Sequence, residues 1–149
     1  MWNYDLTPIC ARLIKTVDPR GLATLREYDA AGRLLSVTEK LDPNDPTKDI
    51  TTSYEYDAAS RLVKTTAPDG TVTRTVYDAA GRVTSTTVGW GLPHAETTSF
   101  TYDALGRKLT ETDPRGATTT YAYDALGRIV SITDPLGNTT SYTYDSLAA

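Results

Sequence analysis

The stretch that decides the fold is YAYDALGRIVSITDPLG, residues 121–137. It holds two turn sequences, DALG at 124–127 and DPLG at 134–137, separated by a short segment rich in β-branched residues. Each turn begins with Asp, whose carboxylate accepts local backbone N–H bonds, and ends with Gly, which tolerates a positive φ. This order is typical of the three-residue loop that joins two adjacent antiparallel strands. The stretch therefore predicts a strand, a tight turn, a second strand and a second turn.

The same pattern recurs along the chain. Tyr-Asp occurs seven times, at successive spacings of 24, 28, 21, 25, 21 and 21 residues, which indicates a period of 21 with insertions. A fixed period of this kind is typical of a repeat architecture. We therefore predict that residues 1–149 form a single array of about six to seven units, with longer loops near 41–49 and 89–95. The recurring motif residues are Tyr28, Asp29, Gly32, Arg33, Tyr56, Asp57, Arg61, Tyr77, Asp78, Gly81, Arg82, Tyr102, Asp103, Gly106, Arg107, Tyr123, Asp124, Gly127 and Arg128.

The segments between the turns are short and rich in Thr, Val, Ile and Tyr, which favour strands. No segment shows apolar residues at helical spacing over the length that a helix requires. The sequence therefore predicts an all-β fold, a repeat array of antiparallel β-hairpins that forms a curved sheet or part of a coiled β-shell.

The loop length also predicts the strand register. With residues 125–127 as the loop, Asp124 forms an ion pair with Arg128, Tyr123 lies opposite Ile129, and Tyr121 lies opposite Ser131. The same rule pairs Tyr28 with Leu34, Tyr56 with Leu62, Tyr77 with Val83, and Tyr102 with Lys108. At this last pair, the lysine should lie along the tyrosine ring or the repeat should be looser. The face opposite the tyrosines should carry Leu35, Val63, Leu109 and Val130.

The composition argues against several classes of protein. A net charge of −4 and the lack of a Lys and Arg run argue against nucleic acid as a partner. One cysteine, Cys10, and one histidine, His94, make neither a disulfide framework nor a Cys/His metal site, and no cofactor motif is present. The chain has no signal-peptide pattern and no apolar run of about 18 residues, so we expect no membrane span.

Catalysis is not indicated either. Eight of the fourteen aspartates open predicted turns, where local backbone donors satisfy them. Cys10 and His94 are a conceivable nucleophile and base, but neither lies in a recognisable catalytic motif. We therefore expect a protein that is not an enzyme.

The unit that runs from YAYDALGR to DPLG resembles the YD repeat of the Rhs family. The resemblance covers nearly the whole chain. The first unit departs from the pattern after Tyr4-Asp5, and Ser60 replaces Gly in the third. The family includes bacterial Rhs polymorphic toxins, the C component of insecticidal toxin complexes and the animal teneurins.

This resemblance implies a β-sheet strip that coils into a hollow shell around a C-terminal effector. A complete shell takes many more repeats, so we expect this chain to be a non-catalytic segment of a larger bacterial protein that is secreted or displayed on the cell surface. Its expected partners are further Rhs repeats or an enclosed effector domain. Open sheet edges should also favour self-association.

An alternative function is binding of carbohydrates or cell surfaces. Rows of tyrosines in stacked repeats present aromatic faces of the kind that contact sugar rings, and Trp90 and His94 in the second long loop are candidate ligand-binding residues. The tyrosine rows are Tyr54 and Tyr56, Tyr121 and Tyr123, and Tyr142 and Tyr144.

Overall fold

The repeated turns form as the residue order predicts. In the turn at 124–127, the N–H of Gly127 donates to the carbonyl of Asp124 at 3.1 Å, and the N–H of Asp124 donates to the carbonyl of Arg128 at 2.9 Å. Gly127 adopts a φ of +83°, which glycine reaches without steric cost. The result is a three-residue hairpin loop, and the turns of the other repeats share its pattern of backbone hydrogen bonds.

The computed structural model describes residues 3–5 and 12–145. Short strands follow one another between these turns, and one 3₁₀ turn, Pro46–Lys48, lies in the first long loop. The all-β prediction and the antiparallel hairpins are confirmed. The strands are β1 (Asn3–Asp5), β2 (Arg12–Val17), β3 (Ala23–Tyr28), β4 (Leu34–Glu39), β5 (Ile50–Tyr56), β6 (Leu62–Thr66), β7 (Val72–Tyr77), β8 (Val83–Val88), β9 (Glu96–Tyr102), β10 (Lys108–Thr112), β11 (Thr118–Tyr123), β12 (Ile129–Thr133) and β13 (Thr139–Ser141).

The chain divides into two units, Met1–Arg74 and Thr75–Ala149. In the first unit, strands β1 to β6 and the start of β7 pair in chain order, each antiparallel to the next. In the second unit, strands β8 to β13 pair in the same way. Within each unit, the Tyr-Asp turns lie at one end of the strands, and the Pro-containing turns and the long loops lie at the other.

The predicted pairing of each motif tyrosine is confirmed at four described positions. The pairs are Tyr28 with Leu34, Tyr56 with Leu62, Tyr102 with Lys108 and Tyr123 with Ile129. The ion pair of Asp124 with Arg128 is also present, with 2.7 Å between Oδ2 and Nε. The pairing of Tyr77 with Val83 stays a prediction.

The register beyond the motif tyrosine was predicted wrongly. Tyr121 lies opposite Ile132, and Ser131 lies opposite Ala122. The cause is a β-bulge between Ala122 and Tyr123, because the partner strand carries one unpaired residue there. A bulge of this kind recurs next to Tyr28, Tyr56 and Tyr102, and the residues that simple alternation assigned to the face opposite the tyrosines are the unpaired ones. They are Leu35, Val63, Leu109 and Val130.

The array has no closed hydrophobic core in the part of the chain that the structure describes. No hydrophobic side chain there is buried, and Ser36, at 9% exposure, is the most enclosed polar residue. Both faces of the sheet therefore remain partly open, and each repeat gains its packing from its neighbours, as in other linear arrays.

Ser60 shows what the glycine contributes to the turn. It adopts a φ of +62°, in the left-handed region that favours glycine, and among the described residues it is alone in doing so without being glycine. Its N–H still donates to the carbonyl of Asp57 at 3.0 Å. The third turn therefore keeps its shape at the cost of backbone strain, which for a non-glycine residue is about 1 kcal/mol or more.

Two opposite substitutions test this strain. We expect Ser60→Gly to raise the free energy of unfolding by about 0.5–1 kcal/mol, and Gly127→Ala to lower it by about 1 kcal/mol. A methyl group added at Gly127 meets no atom within 4 Å, so its effect reports backbone conformation alone. Urea unfolding followed by circular dichroism measures both. Stabilisation by Gly127→Ala, or destabilisation by Ser60→Gly, would contradict the assignment.

Candidate functional site

The recurring chemistry of the chain begins with the aspartate of each Tyr-Asp turn. In the turn of Asp103, Oδ1 accepts the backbone N–H groups of Leu105 and Arg107, each at 2.9 Å. The other carboxylate oxygen accepts Nε–H of Arg107 at 2.6 Å. The aspartate therefore closes the loop and fixes the direction of the arginine side chain that follows it.

The same arginine then reaches the next Tyr-Asp turn. Nη1 of Arg107 donates to the main-chain carbonyl of Asp124 at 2.9 Å, and its guanidinium carbon lies 4.8 Å from the centre of the Tyr123 ring. The hydroxyl of Tyr123 donates back to the main-chain carbonyl of Lys108, the residue after the arginine, at 2.8 Å. Each side chain thus holds the backbone of the other's turn.

We call this reciprocal contact between neighbouring turns the arginine–tyrosine clasp. It recurs with similar geometry, and the distance from guanidinium carbon to ring centre falls between 4.4 and 5.7 Å. The hydroxyls of Tyr28, Tyr102, Tyr123 and Tyr144 each donate to the carbonyl of the residue after the paired arginine, at 2.7 to 3.2 Å. The pairs are Arg12 with Tyr28, Arg33 with Tyr56, Arg82 with Tyr102, Arg107 with Tyr123, and Arg128 with Tyr144.

Three of the four Pro-containing turns, those that begin with Asp18, Asp113 and Asp134, have the aspartate without the clasp. Asp113 accepts the N–H groups of Arg115 and Ala117 in the same way as Asp103 does in its turn. The residue after the turn glycine, however, is Ala117 and not arginine. The two ends of the strands are therefore chemically different, and the described clasps lie at the Tyr-Asp end.

The turn carboxylates are held in their charged form. The pKa of Asp29, Asp57, Asp78, Asp103 and Asp124 lies below the ordinary value of 3.8, chiefly because the backbone N–H of the arginine four residues on donates to the carboxylate. The arginine side chain lowers it further, and partial burial opposes both effects. An anion with a lowered pKa that is bound to an arginine is a poor general acid or base, whereas the same contacts close the turn.

Sequence reasoning missed Arg12 as a motif residue, because the turn before it departs from the repeat pattern. Its Nη1 donates to the carbonyl of Asp29 at 3.2 Å, so Arg12 acts as the clasp arginine of the first repeat. The available signal was spacing. Arg12 precedes Asp29 by 17 residues, as Arg107 precedes Asp124.

Lys108 also departs from the expectation. Its ammonium lies 4.7 Å from the Tyr121 ring centre and 5.8 Å from that of Phe100, so these rings take the place of the expected Tyr102 ring. It donates to Oε2 of Glu111 at 2.6 Å, and this bond raises the pKa of Lys108 above its ordinary value of 10.5. A charged, paired lysine therefore occupies a position where other repeats have an aliphatic side chain.

The predicted ligand-binding residues lie in the loop between β8 and β9. Trp90 is 44% exposed and neighbouring Leu92 is 58% exposed. The loop is closed by the N–H of Leu92, which donates to the carbonyl of Gly89 at 2.9 Å. His94 lies in the same loop and is exposed. A role for Trp90 and His94 in binding stays a prediction.

The other long loop borders a cavity in the first unit. The cavity has a volume of about 470 Å³ and lies between the turn at Asp18 and the start of the loop at Leu41. Neither Trp90 nor His94 is among its lining residues. Asp42 and Asp45 in this loop are both paired with Lys48.

Other chemistry is limited in the described ranges 3–5 and 12–145. They contain no group of three or more His, Cys, Asp or Glu side chains placed to hold a metal ion. No helix in them has the length and apolar character needed to cross a membrane. Cys10 lies outside the described residues.

Comparison with protein families gives a match along almost the whole chain. The family model for the RHS Repeat matches six segments, which are residues 12–44, 40–72, 56–89, 92–118, 102–138 and 123–147. A comparison with curated protein sequences gave no match.

Comparison with solved structures shows a shared fold. The crystal structure of TcdB2-TccC3 superposes with a TM-score of 0.68 at 22% identity, over 92% of this chain and 8% of that one. The crystal structure of TcdB2-TccC3 without its hypervariable C-terminal region gives a TM-score of 0.56 at 19% identity, over 90% of this chain and 10% of that one. The chain thus spans about a tenth or less of the proteins it resembles.

The clasp can be tested by removing one donor at a time. We expect Arg107→Lys, which keeps the charge but loses the forked donor geometry, to lower the free energy of unfolding by about 1–2 kcal/mol. Tyr123→Phe, which removes one hydroxyl, should cost about 1 kcal/mol. Because the two residues share one contact, the double variant should lose less than the sum of the single losses.

The matched control is Arg115→Lys in an exposed Pro-containing turn, where the change should stay within about 0.5 kcal/mol. Urea unfolding of the two single variants, the double variant and the control measures these changes in the free energy of unfolding. Strict additivity of Arg107→Lys and Tyr123→Phe, or an equal loss at Arg115, would argue against a clasp.

The lowered aspartate pKa values predict how stability depends on pH. Because the folded pKa lies below the unfolded value of 3.8, this contribution is fully present above that value and is lost as the pH falls through the folded pKa. Stability should therefore be level between about pH 5 and 8 and decline below about pH 4. Asp103→Asn removes one titrating group and keeps a carbonyl acceptor. The variant should be less stable than the parent at neutral pH, and the gap should narrow in acid. A gap that is unchanged down to pH 3 would refute the linkage.

Proposed function

Because the chain belongs to the RHS repeat family, we propose that it is a non-catalytic wall segment of a shell that encloses an effector polypeptide. The observation that carries this proposal is the arginine–tyrosine clasp. It joins successive repeats through main-chain carbonyls, so it works between any two repeats that have the motif, whatever the residues elsewhere on the strands.

The absence of a closed core in the described residues also supports a wall. A globular enzyme or binding domain packs two layers around a buried centre. Here no described hydrophobic side chain is buried, and both faces stay partly open. A sheet with this exposure is suited to separating two spaces.

The proposed partners follow from β13, the last strand among the residues that the structure describes. Strand β13 pairs with β12 on one side, and all three of its residues are exposed. An unpaired strand edge binds further strands through its free N–H and C=O groups. We propose that a further RHS repeat, or a second copy of this chain, pairs there, and that the assembled protein is secreted or displayed on a bacterial surface.

The shell proposal predicts the size and form of the native product. An antibody against this chain should detect, in the source cells or their medium, a polypeptide far larger than 16.2 kDa. Electron microscopy of that product should show closed hollow particles, and an internal C-terminal region should resist added protease until the particle is opened. A native product of 16.2 kDa, or an open particle with a protease-sensitive C-terminal region, would overturn the proposal.

Carbohydrate binding remains the second candidate because Trp90 is 44% exposed in a long loop. The motif tyrosines are weaker candidates for this role than they were from sequence. Arginine guanidinium groups lie over the rings of Tyr56, Tyr123 and Tyr144, so one face of each ring is already in contact. Trp90 and the neighbouring His94 therefore form the site that we propose for this alternative.

Trp90→Ala separates the two candidates. If the loop binds sugars, the variant should lose retention on a glycan array by tenfold or more while its circular dichroism spectrum stays that of the parent, because aromatic contacts anchor such sites. Leu92→Ala, a change to the neighbouring exposed apolar side chain, is the matched control. Retention that is equal in the parent and in Trp90→Ala, or absent from both, would exclude this site.

A further inference from the structure

One face of the second unit is made of hydroxyl side chains in register. Thr101 pairs with Thr110, Thr110 with Thr120, Thr120 with Thr133, and Thr133 with Thr139. One row of threonines therefore crosses five strands. A second row crosses four strands through Ser85, Ser99, Thr112 and Thr118. We call this surface the hydroxyl face. Its paired residues are Ser85, Thr87, Thr97, Ser99, Thr101, Thr110, Thr112, Thr118, Thr120, Ala122, Ser131, Thr133, Thr139 and Ser141.

Strand propensity alone does not account for this composition. Val, Ile, Tyr and Phe favour strands as strongly as Thr does, and Ser is not a strong strand former. The opposite face of the same strands does carry such residues, among them Phe100, Tyr121 and Ile132, together with the charged pair Lys108 and Glu111. The two faces therefore differ in size, charge and aromatic content.

The hydroxyl face offers little to hold a partner. Its paired positions carry no charge and no aromatic ring, and the side chains that most often anchor protein contacts are Trp, Tyr and Arg. Several of its hydroxyls already bond one another across strands, at 2.6 Å for Thr101 with Thr110 and 2.9 Å for Thr133 with Thr139. A polypeptide in contact with this face meets a polar surface of hydroxyl groups that has no charged or aromatic side chain to anchor it.

The size of the side chains also indicates which face is the inner one. In any strip that closes around a space, the inner face has less area per residue than the outer face. Ser, Thr and Ala fit the smaller area, whereas the rings on the opposite face need the larger one. The lack of charges and rings and the small side chains both indicate that the hydroxyl face is the inner one.

We propose that the hydroxyl face of the second unit lines the inside of the shell and faces the enclosed polypeptide. This inference rests on the proposed function and adds the chemistry of the contact. A wall without charge or rings holds a cargo by enclosure and releases it when the shell opens.

The experiment uses two adjacent threonines that point to opposite faces. Thr139 belongs to the hydroxyl face, whereas Thr140 pairs with Ile132 on the other face, and both are exposed here. Thr139→Cys and Thr140→Cys are made separately in the full-length product, with every native cysteine, Cys10 included, replaced by Ser. The probe is a maleimide with a polyethylene glycol chain too large to enter a closed particle, and Thr120→Cys serves as a second position on the hydroxyl face.

We expect Thr140→Cys to be labelled in the intact particle, and Thr139→Cys and Thr120→Cys to be labelled only after unfolding. The reverse pattern, or equal protection of the residue 139 and 140 variants, overturns the assignment of the face. Labelling of all three in a folded product shows that no closed space exists, which overturns the proposed function and this inference with it.

Discussion

The structure depends on the aspartate of each Tyr-Asp turn, whose carboxylate binds both the backbone of its own loop and an arginine side chain. The aspartate of each Tyr-Asp turn accepts two N–H groups of its own loop, and only its remaining oxygen meets the arginine, as Asp103 does with Arg107. Because the backbone bonds fix the carboxylate within its loop, the arginine that binds its other oxygen leaves the loop in a fixed direction. Its outer nitrogen then reaches a carbonyl of the next turn. Turn formation and contact between repeats are therefore one event, and losing the carboxylate would disturb both.

The aspartate turns and the clasps stabilise the array through contacts between adjacent repeats, in place of a buried hydrophobic core. A surface ion pair contributes little by itself, typically about 0–1 kcal/mol. Here it is one part of a group that also includes backbone hydrogen bonds, a ring under the guanidinium and a tyrosine hydroxyl bond. Each group joins only adjacent turns, so stability grows with the number of repeats and is lowest at the ends, as expected for a linear array.

Much of the fold could be predicted from the sequence because the residues that specify each turn lie within the turn itself. The hairpins, the all-β class and the pairing of Tyr123 with Ile129 came from residues within a few positions of each turn. The bulge beside Ala122 did not, because an unpaired residue in the partner strand leaves no mark in the turn itself. The clasp was missed for a related reason. It joins an arginine to a carbonyl 17 residues further on in two of its copies, and main-chain atoms carry no sequence signal.

The difference between the two ends of the strands has a further consequence. The described clasps lie at the Tyr-Asp end, whereas both long loops, at 41–49 and 89–95, replace turns at the other end. These two loops lengthen the connections at that end without disturbing a clasp. The end of the strands that carries the long loops is therefore the place to graft a foreign peptide for display, because an insertion there leaves the clasps intact.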